Sequence, residues 1–245
     1  MSRPQATPSP KPIRPDPMPL NPSAAVEITA FRWVPDFAAG LVRDLRIRWA
    51  LEEIGRDYRV RLLDAMNPRP ADYFLEQPFG QVPAYRVAEV QLFESGAILI
   101  HLGFGDERLL PADASGRGRA IAWLIAALNS VEPMILQLLA TDVFNAGEEW
   151  TRQRRPQVLE MVRGRLTLLS GALGSREWLE DRFTIGDLMM VAVLRQLRHT
   201  GLVAEHPNLA ALVARGEARP AFQRALGDQL AVFADHVPQP EGAAT

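Results

Sequence analysis

The chain contains no cysteine among its 245 residues, which excludes disulfide bonds, cysteine-ligated metals and a cysteine nucleophile. An excess of one charge is also missing: 27 basic and 29 acidic residues leave a net charge of −2, which gives no electrostatic footprint for nucleic acid. No apolar run reaches the roughly 18 residues of a membrane span. The four histidines lack the short spacing of metal ligands: His101, His199, His206 and His236. The expected partners are therefore small molecules or proteins, with no metal, nucleic acid or membrane.

Proline is concentrated in the first 22 residues, which hold eight prolines and almost no apolar side chains. Such a segment cannot bury enough surface to fold, so residues 1–24 are predicted to be a disordered tail. A solvated leader and a proline-rich docking arm are both compatible with this composition. The segment lacks the apolar centre of a signal peptide, and a cytoplasmic location is the expectation.

Residues 25–104 have the pattern of an α/β domain. Apolar and polar residues alternate at 26–31 and again at 58–62, which predicts two strands. Between them, apolar residues at helical spacing from Ala38 to Trp49 predict a helix that stops before Gly55. A proline-rich, partly helical connection, a hairpin and a closing helix follow at 67–80, 82–93 and 95–103. The order strand, helix, strand implies a right-handed crossover.

The second half of the chain is predicted to be entirely helical. After a linker at 105–114, strand patterns disappear and apolar residues recur every three or four positions through 115–236. Five helices are predicted there: Ser115–Thr141, Gly147–Leu169, Thr184–His199, Pro207–Arg215 and Pro220–Phe233. Residues 237–245 are expected to form a flexible tail. The predicted fold class is therefore an α/β domain followed by a helical bundle.

The segment Thr184-Ile185-Gly186-Asp187 has the form of a capping box at the start of one of those helices. The Thr184 hydroxyl can accept a hydrogen bond from the Asp187 amide, while the Asp187 carboxylate returns to the Thr184 amide. Phe183 and Leu188 stand where a hydrophobic staple would place them. Thr184 and Asp187 are therefore predicted to be folding residues rather than catalytic ones.

Two short segments together describe a small-molecule site made largely of backbone. Pro83 stands at the start of a strand, where it has no backbone N–H to donate to a neighbouring strand. A turn with a cis Val82–Pro83 bond would explain a proline at this position. The Val82 amide and carbonyl would then point outward and pair with an extended peptide. Glu94-Ser95 stands where a strand becomes a helix, so Ser95 and the helix amides suit a carboxylate, while Glu94 suits an ammonium. Glutathione has an extended backbone, an α-carboxylate and an α-amine.

At these residues the chain resembles the glutathione S-transferases, in the bacterial type with a thioredoxin-like N-terminal domain and an all-helical C-terminal domain. The resemblance covers nearly the whole chain after the tail, and its motifs are residues 46–53, 78–84, 94–99 and 182–188. It implies glutathione as co-substrate, a small electrophilic second substrate and a homodimer. It also implies that five residues bind glutathione: Gln81, Val82, Pro83, Glu94 and Ser95.

The chain departs from the pattern of this family at the residue that activates the glutathione thiol. The family places a Tyr, Ser or Cys near the end of the first strand or the start of the first helix, whereas residues 30–48 contain no Tyr, Ser, Thr or Cys. The remaining donors are the backbone amides of residues 38–41 and the side chain of Arg43. Arg43 is therefore the candidate catalytic residue, as an electrostatic stabiliser of the thiolate. A surface salt bridge with Asp36 or Glu94 is its alternative role.

Three further side chains are candidates for the pocket of the electrophile: Trp33, Trp123 and His199. Each of them also suits a core or surface position, and Gln81 suits either the glycine end of glutathione or an exposed strand position. Two functions stay open. One is a transferase in which proximity and backbone electrostatics carry catalysis; the other is a non-catalytic glutathione-binding or scaffold protein. In a third interpretation, the proline-rich arm and the dimer surface make the chain a binding module.

Overall fold

The computed structural model describes residues 21–238. The predicted tails lie outside these residues, except for 21–24 and 237–238. Residues 21–24 pack against the first domain: the Asn21 side chain donates a hydrogen bond to the Asp57 carboxylate (3.1 Å), and Ala24 is buried. These residues therefore belong with the α/β domain rather than with the predicted tail.

Four strands form one mixed sheet: β1 (Val26–Phe31), β2 (Tyr58–Leu63), β3 (Ala84–Val87) and β4 (Val90–Phe93). Their order is β2-β1-β3-β4, with β1 parallel to β2 and antiparallel to β3, and with β3 antiparallel to β4. Helix α1 (Asp44–Glu53) connects the parallel pair, and helix α2 (Ser95–Phe104) follows the hairpin. The predicted α/β domain is confirmed.

Helix α1 begins later than the sequence predicts. The apolar periodicity predicts a start at Ala38, but residues 38–42 form turns and the helix starts at Asp44. Gly40 has a φ of 75°, in the left-handed region that breaks a right-handed helix. Ala38, Leu41 and Val42 mimic a helical stripe because their side chains line the cleft between the two domains.

From Ala114 to Asp235 the described residues form six α-helices: α3 (Ala114–Ala126), α4 (Glu132–Leu139), α5 (Glu149–Leu173), α6 (Ile185–Leu194), α7 (Pro207–Glu217) and α8 (Pro220–Asp235). The π-helical segments Ala127–Val131 and Ala140–Phe144 follow α3 and α4, so the first predicted helix contains two departures from α-helical winding. After α6 the chain tightens into a 3-10 turn, Arg195–Leu197. The predicted helical domain is confirmed.

One stretch of the helical domain, Ala114–Phe144, is long and apolar enough to cross a membrane by length and composition. Isolated polar residues divide this stretch, so it contains no uninterrupted apolar run of that length. A single helix of this kind is weak support for a membrane span, since core helices of soluble proteins share its composition. Here α3 packs against α6 and α4 packs against α5, as core helices do.

Helix α1 is a core element of both domains. All nine residues from Asp44 to Glu52 are buried. The Trp49 ring lies 5.7 Å from Phe183 and 4.9 Å from Phe222, both of the helical domain. Aromatic rings at these separations add to the stabilisation that their buried area provides. The helix that leads into the cleft is therefore held between the sheet and the helical bundle.

A chain of hydrogen bonds ties the loop before β3 to β1. The Tyr73 hydroxyl donates to the Gln81 carbonyl (2.6 Å) and lies 2.8 Å from the Thr29 hydroxyl, while the Ala84 amide donates to Thr29 Oγ1 (2.7 Å). Because a carbonyl can only accept, Tyr73 gives its proton to Gln81, and Thr29 therefore donates to Tyr73. This series of hydrogen bonds fixes Gln81 and Ala84, the residues on either side of the Val82–Pro83 pair.

We expect Tyr73→Phe to lower the free energy of unfolding by about 1–3 kcal/mol, because the Gln81 carbonyl and the Thr29 hydroxyl lose a partner in the interior. Urea denaturation measures the difference from wild type. Tyr85→Phe is the matched control, since the buried Tyr85 hydroxyl has no hydrogen-bond partner within residues 21–238. Its removal should cost nothing, and equal losses in the two variants would contradict this account.

The predicted capping box is present at the start of α6, with both reciprocal bonds between Thr184 and Asp187, and further bonds join it. The Asp187 carboxylate accepts from the Thr184 amide (2.9 Å) and from the Thr184 hydroxyl (3.1 Å), and the Gly186 amide donates to Thr184 Oγ1 (3.1 Å). The second oxygen of the Asp187 carboxylate accepts a hydrogen bond from the Leu179 amide at 2.7 Å. Asp187 is fully buried, so it fixes the preceding loop as well as the helix start.

Asp187→Ala should lower the free energy of unfolding by about 2–5 kcal/mol, since it removes a cap and leaves two buried amides without an acceptor. This exceeds the ~0.5–2 kcal/mol of a lost cap alone. Asp187→Asn keeps one acceptor oxygen and should lose less. Chemical denaturation followed by circular dichroism compares the two variants, and equal losses would show that the bonds to Leu179 and Thr184 contribute little.

Candidate ligand-binding site between the domains

The Val82–Pro83 peptide bond is cis, as the position of the proline at the strand start predicts. The paired register of β3 begins at Ala84, so the Val82 amide and carbonyl stay outside the ladder. The Val82 side chain is buried in a small cluster with Leu63 and Tyr73, which fixes the orientation of this residue. Its backbone therefore offers one donor and one acceptor to an extended ligand.

Glu94 and Ser95 stand at the N-terminus of α2, directly after Phe93, which pairs with Ala84 at the start of β3. Glu94 is exposed and has a φ of 68°, a conformation that costs a non-glycine residue on the order of 1–3 kcal/mol and that concentrates at functional sites. Ser95 is buried as the first residue of α2. A side chain at Gly96 would lie 2.8 Å from Leu128, so the start of α2 packs directly on the helical domain. Arg46, which lines the cavity between the domains, donates to Ser95, so the positive end of the α2 dipole lies beside that cavity.

A buried polar cluster that the sequence did not predict joins the two domains at this point. Arg46 on α1 donates to Ser95 Oγ (3.2 Å) and to Glu132 Oε1 on α4 (2.5 Å). Gln196, just beyond α6, donates to the same Glu132 oxygen at 2.8 Å. The side chains of Arg46 and Glu132 are only 3% and 5% exposed, so their charges are stabilised chiefly by each other.

The Glu132 carboxyl is held in its ionised form. Burial alone would raise its pKa, but the charge and hydrogen bond of Arg46, with Arg43 and Gln196, outweigh burial and hold the pKa below its usual value. Burial lowers the pKa of the Arg46 guanidinium, and the charge and hydrogen bond of Glu132 oppose that shift. The cluster therefore carries formal charges at neutral pH and supplies an oriented cation beside Ser95.

Arg43, the candidate for stabilising a thiolate, is the last residue before α1, and it lines the cavity between the domains. Its Nη1 donates to the Gln81 side chain at 3.3 Å, and its Nη2 is 3.8 Å from Glu132. The structure places Arg43 near Glu132 rather than in the alternative salt bridge with Asp36 or Glu94. Since Glu132 is already bound to Arg46, Arg43 keeps much of its charge available to a ligand.

The backbone amides predicted to act beside Arg43 are occupied. Ala38 and Ala39 donate to the Pro35 carbonyl (2.8 and 3.3 Å), and Leu41 donates to the Ala38 carbonyl (2.9 Å). These residues precede α1 rather than beginning it, so they also lie outside its dipole end. The expectation that amides 38–41 stabilise a thiolate is therefore wrong for these three.

A cavity of about 550 Å³ opens beside this cluster. It includes Arg43, Arg46 and Glu132, and its other walls are mostly apolar side chains from the loop after β1, from α4 and from the segment after it: Phe37, Leu41, Leu136, Leu139, Val143 and Phe144. A cavity of this size holds a small organic molecule.

Of the three side chains predicted for the pocket of the electrophile, the structure brings only His199 into this cavity. Trp123 lies on α3, where its indole N–H donates to Glu180 at 3.1 Å and its Cβ packs against Gly186. Trp33, in the turn after β1, does not line the cavity either. The sequence did not indicate which of these side chains face the cleft, and Trp123 takes the core position that it also suited.

Arg46 begins one of the family motifs but was given no role, and Glu132 and Gln196 lie in segments that the sequence marks only as helical. A signal was present in two of them. Arg46 stands among the apolar residues of α1, and Glu132, the first residue of α4, interrupts the apolar stretch that runs from α3 into α4. A charged residue on a face that a helix must bury needs a partner, although the partner 86 positions away is not visible in the sequence.

A family model described as "Glutathione S-transferase, N-terminal domain" matches residues 37–103. The chain is 32% identical over 185 residues to glutathione S-transferase GstA of Escherichia coli O157:H7, covering 72% of this chain and 89% of that protein. It is 28% identical over 196 residues to glutathione S-transferase 3 of Zea mays, covering 74% and 86%.

Among solved structures, a glutathione transferase from Burkholderia graminis with two glutathione molecules bound per subunit is similar to this fold. Its TM-score is 0.73 at 27% sequence identity, over 82% of this chain and 87% of that one. The chain therefore belongs to the glutathione S-transferase family.

Proposed function

We propose that this protein binds glutathione in the cleft and transfers its thiolate to a small electrophile. The observation that carries the proposal is the meeting of three elements: the Val82 backbone outside the ladder, Ser95 at the start of α2, and the exposed Glu94. The relative from Burkholderia graminis, which holds glutathione, supports the same ligand.

Each part of glutathione has a complementary group in this proposal. The γ-glutamyl carboxylate binds Ser95 and the α2 amides, the amine binds Glu94, and the cysteinyl backbone pairs with Val82. Because Ser95 Oγ accepts from Arg46, its own proton is available for the carboxylate. Gln81 and Pro83 complete the site, with Gln81 beside the glycine end.

Activation of the thiol is the demanding step. A free thiol with a pKa of about 8.5 is only a few per cent thiolate at pH 7. Lowering that pKa by about two units requires about 2.7 kcal/mol of preferential stabilisation of the anion. We propose that Arg43 supplies most of this, because its Nη1 donates at 3.3 Å to the side chain of Gln81, the residue before Val82. A charge-assisted hydrogen bond of this kind contributes about 1.5–3 kcal/mol.

The second candidate function is a glutathione-binding protein without transferase activity. Two observations favour it: residues 30–48 have no Tyr, Ser, Thr or Cys, and the amides of Ala38, Ala39 and Leu41 already donate within their loop. In this case the cleft would bind glutathione but leave its thiol protonated. Binding and turnover must therefore be measured separately.

Calorimetric titration should show glutathione binding to the wild type and a loss of at least about 100-fold in affinity in the Glu94→Ala, Ser95→Ala double variant, which removes two charge-assisted contacts. Glu160→Ala, which removes a carboxylate that is 74% exposed on α5, is the control and should bind normally. A wild type that does not bind glutathione would overturn the proposal.

The same preparation distinguishes the two candidate functions. Arg43→Ala should keep its glutathione affinity within a few-fold and lose about tenfold or more in kcat with an aryl halide, since about 1.4 kcal/mol of thiolate stabilisation corresponds to tenfold. Unchanged turnover would remove Arg43 from the mechanism. Glutathione binding by the wild type without any turnover would select the non-catalytic function.

We also propose that the chain is a homodimer, in the cytoplasm as the sequence leads us to expect. An apolar patch lies on the hairpin and the loop before it, where four large side chains are 38–83% exposed: Phe74, Leu75, Phe79 and Phe93. Phe79 and Phe93 stack edge to face at 6.3 Å. An exposed cluster of this kind is typical of a surface that another protein covers, and a second copy can cover it symmetrically.

Sedimentation velocity at micromolar concentration should give a dimer for the wild type and a monomer, or a weakened dimer, for Phe79→Ser. Leu230→Ser is the control, because Leu230 is a large apolar residue on α8 that is 41% exposed and distant in sequence from the patch. It should stay dimeric. A monomeric wild type, or equal weakening by both substitutions, would contradict the assignment of this patch.

A further inference from the structure

The cavity between the domains has an excess of positive charge. Three guanidinium groups line it, from Arg43, Arg46 and Arg198, against the single carboxylate of Glu132. Glu132 is engaged by Arg46 at 2.5 Å and by Gln196 at 2.8 Å. A ligand that fills this cavity therefore meets more cationic than anionic groups.

Arg198 is the cation that the proposed glutathione leaves unused. Glutathione is assigned to Val82, Glu94 and Ser95, with Arg43 at its thiol, whereas Arg198 comes from the chain after α6. Its Nη2 donates to the Phe37 carbonyl at 3.0 Å and lies 3.4 Å from the Asp36 carbonyl. These are neutral acceptors, so they orient the guanidinium without neutralising it.

The charged neighbours of Arg198 also leave its charge uncompensated. The two that act on it most are Arg195, which repels it, and Glu217. Glu217 is already paired with Arg195 at 2.7 Å. His199, the next residue, lies 3.8 Å from Asp142, but Asp142 is held by Arg155 at 2.7 Å. The positive charge at this end of the cavity is therefore open to an external anion.

The wall next to Arg198 is aromatic. The rings of Phe37 and Phe144 meet edge to face with centroids 5.9 Å apart, and the side chains are 51% and 61% exposed. Phe37 is also the residue whose carbonyl accepts from Arg198. Two partly exposed rings in contact offer a surface on which a flat aromatic group can pack.

We propose that the cavity takes a small aromatic electrophile that carries a carboxylate, with its ring against Phe37 and Phe144 and its carboxylate on Arg198. The role of this molecule as a substrate rests on the proposed function, whereas its binding does not. In an aromatic substitution, the thiolate sulfur forms a bond to the ring carbon and the carbon–chlorine bond breaks. Chloride leaves with the electron pair, and the thiol proton passes to solvent.

The test of binding uses two ligands of nearly equal shape that cannot react, 3,5-dinitrobenzoate and 3,5-dinitrobenzamide. Calorimetry should give about tenfold tighter binding of the benzoate to the wild type, as one charge-assisted contact produces. Arg198→Gln should remove this preference and Arg198→Lys should keep part of it, because lysine retains the charge. Arg152→Gln, an equal charge change at a side chain that is 71% exposed on α5, should leave the preference intact.

Three results would overturn the inference: equal binding of benzoate and benzamide to the wild type, no binding of either ligand, or a preference that survives in Arg198→Gln. Equal loss of preference in the Lys and Gln variants would likewise show that Arg198 orients the loop instead of attracting the anion. High salt should weaken the preference of the wild type, since exposed charges are screened.

Turnover separates this inference from the proposed function. With glutathione present, 4-chloro-3-nitrobenzoate should have about a tenfold higher kcat/KM than 4-chloro-3-nitrobenzamide in the wild type, and Arg198→Gln should equalise them. A preference in binding without turnover of either compound would refute the transferase function and retain the anion site. Turnover of both compounds at equal rates would retain the function and refute the anion site.

Discussion

The buried ion pair between Arg46 and Glu132 is the interaction on which the rest of the site depends. One partner lies on α1 of the sheet domain and the other on α4 of the helical domain, and both are almost completely buried. Removing one partner of such a pair costs about 3–5 kcal/mol, because the other charge is left in the interior. Arg46 also holds Ser95, and Glu132 also holds Gln196, so one cluster sets the spacing of the elements around the cleft.

The loop after β1 is shaped by the same docking of two domains. Arg195 donates to the Gly40 carbonyl at 2.6 Å, and Arg198 donates to the Phe37 carbonyl, so side chains beyond α6 hold the backbone of the sheet domain. Helix α1, buried between the sheet and the bundle, carries the loop into the cleft. The cavity is therefore a property of the assembled chain, and neither domain would form it alone.

The two sides of the cleft are built on different principles. The side assigned to glutathione uses backbone groups and residues close in the sequence, around Val82 and at the start of α2, and the bonds from Tyr73 hold that backbone rigid. The side assigned to the electrophile uses side chains from three distant segments, near Phe37, Phe144 and Arg198. The first side therefore suits one fixed ligand, whereas the second side suits ligands that differ between related proteins. Side chains on the second side can change without disturbing the sheet.

Local patterns in the sequence determined the strands, the helical second half, the capping box at Thr184 and the motifs at Val82-Pro83 and Glu94-Ser95, because each depends on neighbours within a few residues. Only the tertiary structure decided that α1 starts at Asp44, since the turn at Gly40 is held by Arg195, 155 residues away. It also decided the partner of Arg46 and the placement of Trp123 outside the cavity. Those outcomes depend on which surfaces of two domains meet, and periodicity along a chain carries no information about that.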